Sequence, residues 1–243
     1  MADPTPPGIP REDPPSRYAA FVSYSHLDGV WGRRLHRFLE TYRVPRRLRG
    51  SAGRDGPVPT TLHPCFLDRE ELPSSADLSG NVHAALAQSR TLIVVCSPRS
   101  VASRWVDEEV RTFKALGRED RVLCLIVDGE PNATERPGRG RSECFPEAVR
   151  HRVGPDGRLT PLRVEPVAAD VRPGKDGWRS ARLKLVAGVL GIRYGDLRRR
   201  DVVRRRWRWA LGVAAALLLG GGGRARLRCG RPTVPYDLRQ FNP

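Results

Sequence analysis

"CFLDREELPSSADLSGNVHAALAQSRTLIVVCS" occupies Cys65–Ser97, and its reading decides the fold. Its end, "RTLIVVCS" (Arg90–Ser97), is a near-continuous apolar run, the pattern of a strand covered on both faces. Its start lies in "LHPCFLD" (Leu62–Asp68), a shorter run of the same type. Between them a polar loop, "REELPSSADLSG", leads into a helix within "DLSGNVHAALAQS" (Asp77–Ser89). Strand, helix and strand in succession form a βαβ unit, so the two strands run parallel.

The pattern repeats outward. "YAAFVSYS" (Tyr18–Ser25) reads as a first strand. "DGVWGRRLHRFLETYRV" follows with apolar residues Val30, Trp31, Leu35, Phe38, Leu39 and Tyr42 at helical spacing, Asp28 as N-cap and Pro45 as terminator. "RRLRGSAGRDGPVPTT" (residues 46–61) is a loop. Downstream, "VASRWVDEEVRTFKALG" is a helix ending at Gly117, and "RVLCLIVDG" is another buried strand. A long irregular stretch follows, with a short helix near Phe145–His151. "PLRVEPVA" (Pro161–Ala168) reads as the fifth strand and "DGWRSARLKLVAGVLGI" (Asp176–Ile192) as the last helix. Five strand–helix alternations predict an α/β fold with a parallel sheet and helices on both faces. Ligands of such sheets bind at the carboxyl ends of the strands.

Composition narrows the function. The 243 residues carry a net charge of +16. From Arg193 onward there are thirteen arginines and three aspartates, so the tail holds +10 and the first 192 residues hold +6. The basicity belongs to the tail, and no nucleic-acid partner is expected. The five cysteines are widely spaced without CxxC, which predicts reduced thiols and no disulfide framework or zinc site. The five scattered histidines give no metal spacing. The leader "MADPTPPGIPREDPPS" has no apolar core and reads as disordered, with no signal peptide. There is no P-loop, no dinucleotide fingerprint and no GxSxG elbow. The position after the first strand reads "SYSH", without the acidic pair of a phosphoacceptor.

"SRWVDEEV" (Ser103–Val110) places three acids in a row on the helix that follows the third strand. On a wheel of about 100° per residue from Trp105, Val106, Val110, Phe113 and Leu116 fall between roughly 20° and 140°. Glu109 falls at about 40°, inside that apolar arc, whereas Asp107 and Glu108 fall at about 200° and 300°. Acids early in a helix favour its dipole, which accounts for Asp107 and Glu108. It does not account for an acid on the buried side.

Three blocks in this order, "FVSYSHLD", "CFLDREELPSSADLSGNVHAALAQSRTLIVVCS" and "SRWVDEEV", resemble the Toll/interleukin-1 receptor (TIR) domain in its bacterial form, over about Tyr18–Ile192. The resemblance implies a flavodoxin-like five-stranded parallel sheet. It also implies an NAD⁺ glycohydrolase, which cleaves the nicotinamide–ribose bond with or without cyclisation of ADP-ribose, in signalling or defence against phage. In catalytic members a glutamate lies four residues after a tryptophan, the spacing of Trp105 and Glu109, so the resemblance assigns Glu109 as the catalytic residue. "DREELPSSADL" matches the mobile loop that covers the site and contacts a neighbouring protomer. It departs from the receptor-type Arg-Asp-x-x-Pro-Gly form.

One carboxylate suffices for such chemistry. Nicotinamide leaves as a neutral amide and needs no general acid, unlike the leaving groups of most glycosidases. A carboxylate near the ribose stabilises the oxocarbenium-like state electrostatically. Trp105 either walls the site or fills the core. At the first-strand end, Ser23, Tyr24, Ser25 and His26 lie where nucleotide is expected. Tyr24 stacks on a ring and Ser25 and His26 bind phosphate or ribose, or these residues simply cap the strand end. Asp68 and Arg69 open the covering loop, as substrate contacts or as an exposed ion pair. No cofactor is expected, NAD⁺ being the substrate, and no metal.

The expected organisation is a leader (1–16), the TIR domain (17–192), a basic juxtamembrane helix (193–208), a short apolar segment (209–223) and a tail (224–243). The apolar segment has fifteen uncharged residues from Trp209 to Gly223, short of the about 20 that span a bilayer. Basic residues before it and paired tryptophans suit contact with an anionic membrane. The basic helix and "LLLGGGG" look like the juxtamembrane link of bacterial TIR proteins that continue into repeats; no repeats follow here. The chain is expected in the cytoplasm, self-associating through the TIR domain, and attached to the inner membrane if the apolar segment anchors it. The competing reading is a non-catalytic TIR–TIR interaction module on a membrane anchor. A nucleoside deoxyribosyltransferase-like enzyme, which shares the α/β design and a glutamate, is a distant third.

Overall fold

A computed structural model describes residues 16–67, 78–154 and 156–198. Five strands form one sheet: β1 (Phe21–Ser23), β2 (Phe66–Leu67), β3 (Leu92–Cys96), β4 (Val122–Ile126) and β5 (Ala168–Asp170). Their order is β2-β1-β3-β4-β5, every neighbouring pair parallel. This is the flavodoxin-like order, whose topological switch point lies between β1 and β3. The sheet belongs to the unit that ends at Arg198.

The helices are α1 (Gly29–Thr41), α2 (Leu78–Ala87), α3 (Pro98–Val101), α4 (Arg104–Ala115), α5 (Glu147–Arg150) and α6 (Gly177–Leu190). Strand side chains alternate between faces, and two core layers result. Val22, Ile93, Val95 and Leu125 point to one face, where Leu35 and Leu39 of α1 and Leu185, Val186 and Val189 of α6 cover them. Phe21, Leu92, Val94, Cys124 and Ile126 point to the other, under Leu86 of α2, Val106, Val110 and Phe113 of α4, and Val149 of α5. All five residues of β3 are buried, which is why that run reads as continuously apolar.

The expected fifth strand is misplaced. Leu159–Arg163 pairs antiparallel with His151–Val153 in a separate hairpin, and the sheet is completed by Ala168–Asp170. The second strand has only two residues, after a cis His63–Pro64 bond. Residues 46–61 hold a 3₁₀ turn and a two-residue-per-strand hairpin, Ala52–Gly53 with Gly56–Pro57. The stretch expected as one helix from Val101 divides into α3 and α4, because Ser103 starts α4 afresh by accepting a bond from the Val106 N–H. Gly117 follows α4 with φ of 79°, the left-handed conformation expected of a C-terminal glycine.

Candidate active site

The carboxyl ends of β1 and β3 set the site. Ser23 is the last residue of β1 and sits in register with Val94. Two residues after Phe21, it points to the same face, beneath α4. On α4 the apolar arc comprises Val106, Val110 and Phe113, all buried, and Glu109 lies among them at 4% exposure. The helix therefore delivers a carboxylate to the sheet instead of to water. Ser23 Oγ donates to Glu109 Oε2 at 2.5 Å, with Ser23 fully buried.

The other two acids have different surroundings. Glu108 is exposed. Asp107 bonds Arg111 Nε at 2.6 Å and accepts the Ala148 N–H at 2.8 Å, which ties α4 to α5. Its role is thus wider than the helix-dipole contribution read from its place in the first turn. Trp105 is 50% exposed and lies one turn before Glu109, so it is not a core filler and its ring borders solvent on the side of α4 that carries the acid.

The remaining expected contacts separate. Tyr24 is 7% exposed and packs in the α1-side core. A Cβ on Gly32 would come within 2.8 Å of its ring, so α1 approaches β1 this closely only because residue 32 is glycine. The Tyr24 ring faces α1 and not the Ser23–Glu109 pair, against its expected stacking on a nucleotide. Ser25 is buried and its carbonyl accepts the Asp28 N–H at 2.7 Å, while His26 is exposed at the strand end. Asp68 and Arg69 lie outside the described residues.

A second polar cluster occupies the switch point itself. Asp28 stands at the N-cap position of α1 but makes no side-chain cap bond. Its carboxylate, 2% exposed, crosses to the end of β3. It accepts Ser97 Oγ–H at 2.5 Å and Arg99 Nε–H at 2.7 Å. Arg99 Nη1 continues to Asp128 at 3.2 Å, beyond the end of β4. The hydrogen bond that Arg99 donates to Asp28 raises the Arg99 pKa above its ordinary value. The N-cap assignment of Asp28 is therefore corrected: an acid before a helix is the usual local solution, and here a buried partner at the end of the neighbouring strand takes the carboxylate. The long loop after β4 is pinned similarly. Glu143, 1% exposed, accepts N–H bonds from Asn132, Thr134, Cys144 and Phe145 and the Thr134 hydroxyl.

Cys65, Cys96, Cys124 and Cys144 are free and buried, as expected of reduced thiols. Burial, chiefly, lifts the Cys144 pKa to about 12, which keeps it protonated and inert; Cys229 lies outside the described residues. Among the described residues no group of His, Cys, Asp and Glu is arranged to hold a metal ion. A cavity of about 730 Å³ opens at the opposite end of β4 and β5, lined by Arg54, Leu123, Ala168, Lys184 and Tyr194 among others. Among the described residues no carboxylate lines it, and it is remote from Glu109 in the fold.

Comparison with known proteins agrees with the architecture. Residues 60–146 match the family model of the TIR domain. Over 220 residues, 86% of this chain, the sequence is 33% identical to a protein of Actinoplanes sp. named NAD(+) hydrolase ApTIR. The chain spans 29% of that relative's length. The 2-1-3-4-5 sheet and both matches agree: the chain contains a region that matches the TIR domain, and over most of its length it is similar to a bacterial protein.

Proposed function

We propose that the protein is an NAD⁺ glycohydrolase with Glu109 as its catalytic residue. The observation that carries this reading is the buried Ser23–Glu109 bond at the carboxyl edge of the sheet. An acid on the apolar arc of a helix is costly to bury, and here a hydroxyl donor holds it where ligands of this fold bind. The name of the Actinoplanes relative supports NAD⁺ as substrate.

The reaction needs little. The C1′–N bond of the nicotinamide ribose breaks with its electron pair leaving on nicotinamide, and positive charge develops on C1′ and the ring oxygen. The Glu109 carboxylate opposes that charge. Ser23 occupies one of its oxygens and so fixes the rotamer, which leaves the carboxylate preorganised. Water then adds at C1′ and loses its proton, giving ADP-ribose; attack by an adenine nitrogen instead gives the cyclic product. Trp105, half-exposed one turn away, walls the site, and Ser25 and His26 lie along the β1 end for phosphate or ribose. Asp68 and Arg69 belong to the loop that covers the site, and activity depends on self-association that brings this loop to a neighbouring protomer. Contact of the tail with anionic membrane, and a part in signalling or defence, complete the proposal. Residues 209–223 lie outside the described residues; among the described ones no helix is long and apolar enough to cross a membrane.

The test is direct. Purified protein, concentrated on beads, is incubated with NAD⁺ and the products are separated. Release of nicotinamide by the wild type and its loss in Glu109→Gln support the reading. No release under assembled conditions refutes it and leaves the interaction-module alternative.

A further inference from the structure

The outer face of α1 carries a stripe the catalytic reading does not use. Val30, Arg33, Arg34, Arg37 and Thr41 recur at the i, i+3, i+4, i+7 and i+11 positions of one helical face. Together with Phe38, Trp178 and Arg182 they line a groove of about 490 Å³ between α1 and α6. Among the described residues, four arginines and two aromatic rings line it and no carboxylate does. The arginines are organised by the rings. Arg34 stacks over Trp178 at 4.3 Å and over Trp31 at 5.3 Å from the ring centroids, and Arg182 lies over Phe38 at 4.6 Å. A guanidinium stacked through its face can still offer its N–H edge to an oxyanion, and Arg34 is exposed. Exposed apolar side chains stand at one end: Val30 is 71% exposed, and Leu27, in the turn before α1, is 65% exposed.

We infer that this α1–α6 face docks on an anionic lipid bilayer. The charge is complementary to phosphate-rich headgroups. The stripe from Val30 to Thr41 runs about 16 Å along the helix at 1.5 Å per residue, longer than a single phosphate needs. The exposed Val30 and Leu27 beside the arginines have the amphipathic character of an interfacial helix, whose apolar side chains enter the headgroup–acyl boundary. Single-stranded nucleic acid would require open aromatic faces for base stacking. Here the rings of Trp178 and Phe38 already carry guanidinium groups. The site is separate from the Ser23–Glu109 pair: α1 covers the opposite face of the sheet from α4.

The test uses the full-length chain, because the basic tail beyond residue 198 can bind membrane by itself and must be common to every sample. Binding is measured by co-sedimentation with vesicles of neutral phosphatidylcholine and with vesicles containing phosphatidylglycerol. The variants are Arg33→Gln/Arg37→Gln, which leaves the stacked guanidinium groups in place, and the triple change that adds Arg34→Gln. At about fivefold per arginine, the double variant binds anionic vesicles about 30 times more weakly and the triple variant on the order of 100-fold more weakly. Neutral vesicles retain little of either. Val30→Ser weakens binding without changing its salt dependence. A melting curve within a few degrees of wild type shows that the double variant is folded, and its NAD⁺ turnover in solution stays at the wild-type level. If the folded double variant binds anionic vesicles as wild type does, the proposal is wrong and the tail alone makes the contact. Preferential binding of a single-stranded oligonucleotide, or loss of a stable dimer in the double variant with vesicle binding intact, overturns it in favour of nucleic acid or of a second copy.

Discussion

Substituting Asp28 by serine separates two accounts of the same residue. Serine and asparagine are as good as aspartate at an N-cap, so if Asp28 only capped α1, Asp28→Ser and Asp28→Asn would both be close to neutral. The structure gives a different order. Asp28 is 2% exposed and its carboxylate holds Ser97 Oγ and Arg99 Nε. A serine side chain is too short to reach either. The Ser97 hydroxyl, fully buried, then loses its acceptor, at a cost of about 1–3 kcal/mol. Arg99, whose side chain is 38% exposed and retains Asp128 at 3.2 Å, turns to water, and its share is only about 0.5–1 kcal/mol. The sum is about 1.5–4 kcal/mol, a fall in melting temperature of roughly 3–16 °C for a domain of this size. Asp28→Asn keeps an oxygen for Ser97 and falls between wild type and Asp28→Ser. Thermal melts of the three proteins give the order. Repeating Asp28→Ser in a Ser97→Ala background should cost at least 1 kcal/mol less, the mark of a direct pair. An Asp28→Ser protein that melts within about 1 °C of wild type would refute the clamp and restore the cap.

Three further outcomes are expected. Glu109→Gln should lose about 10²–10³ in NAD⁺ turnover with stability unchanged or slightly higher, since a buried charge is removed; Glu108→Gln should lose little, and comparable turnover in all three proteins would remove Glu109 from the chemistry. Acid unfolding should depend on Glu143: burial raises its pKa, but bonds from Phe145, Thr134 and the Thr134 hydroxyl reverse this and hold it below the ordinary carboxylate range. A depressed carboxyl contributes stability that is present above its unfolded value of about 4.3 and is lost as pH falls through the folded value, so Glu143→Gln should be destabilised near neutrality and show a shallower loss below about pH 4 in pH-dependent melts. Specific activity should rise with protein concentration or bead capture, because the covering loop acts on a neighbour; a rate strictly proportional to concentration over several decades would contradict this.

The parts of this molecule that sequence reading reached are those set by local periodicity. The apolar runs of β3 and β4 and the arc on α4 announce their burial, and Glu109 stands out because helix geometry alone puts it among Val106, Val110 and Phe113. Trp105 sat at the margin of that arc, where a wheel does not decide, and it proved half-exposed. What was not legible depends on partners far away in the chain. Asp28 meets Ser97 and Arg99 across 69 and 71 residues, and nothing near Asp28 distinguishes that carboxylate from an ordinary cap. Residues 159–163 and 168–170 are both short strand-like runs; only the parallel register of Cys124 with Ala168 assigns the second to the sheet. The Tyr24–Gly32 packing is of the same kind, since a tyrosine at a strand end reads as a ligand contact or a cap, and only its approach to Gly32 places it in the core.

The position of β1 has a consequence for how the chain is made. It is the first strand of the sheet to be synthesised, yet it lies between β2 and β3, and Phe21 must find Phe66 on one side and Leu92 on the other. Leu92 is 71 residues behind Phe21, so at about 5–20 residues per second roughly 4–14 s of synthesis pass before the second neighbour exists. Until then Ala20, Phe21 and Val22, all fully buried in the finished protein, have no sheet to enter. The segment is apolar, rich in β-forming residues and open on both edges during that interval, which exposes nascent β1 to capture by chaperones or by other unfinished chains. Substitutions that slow the arrival of β3, or that weaken the early α1 contact at Gly32, should lower the yield of soluble protein before they alter the finished fold.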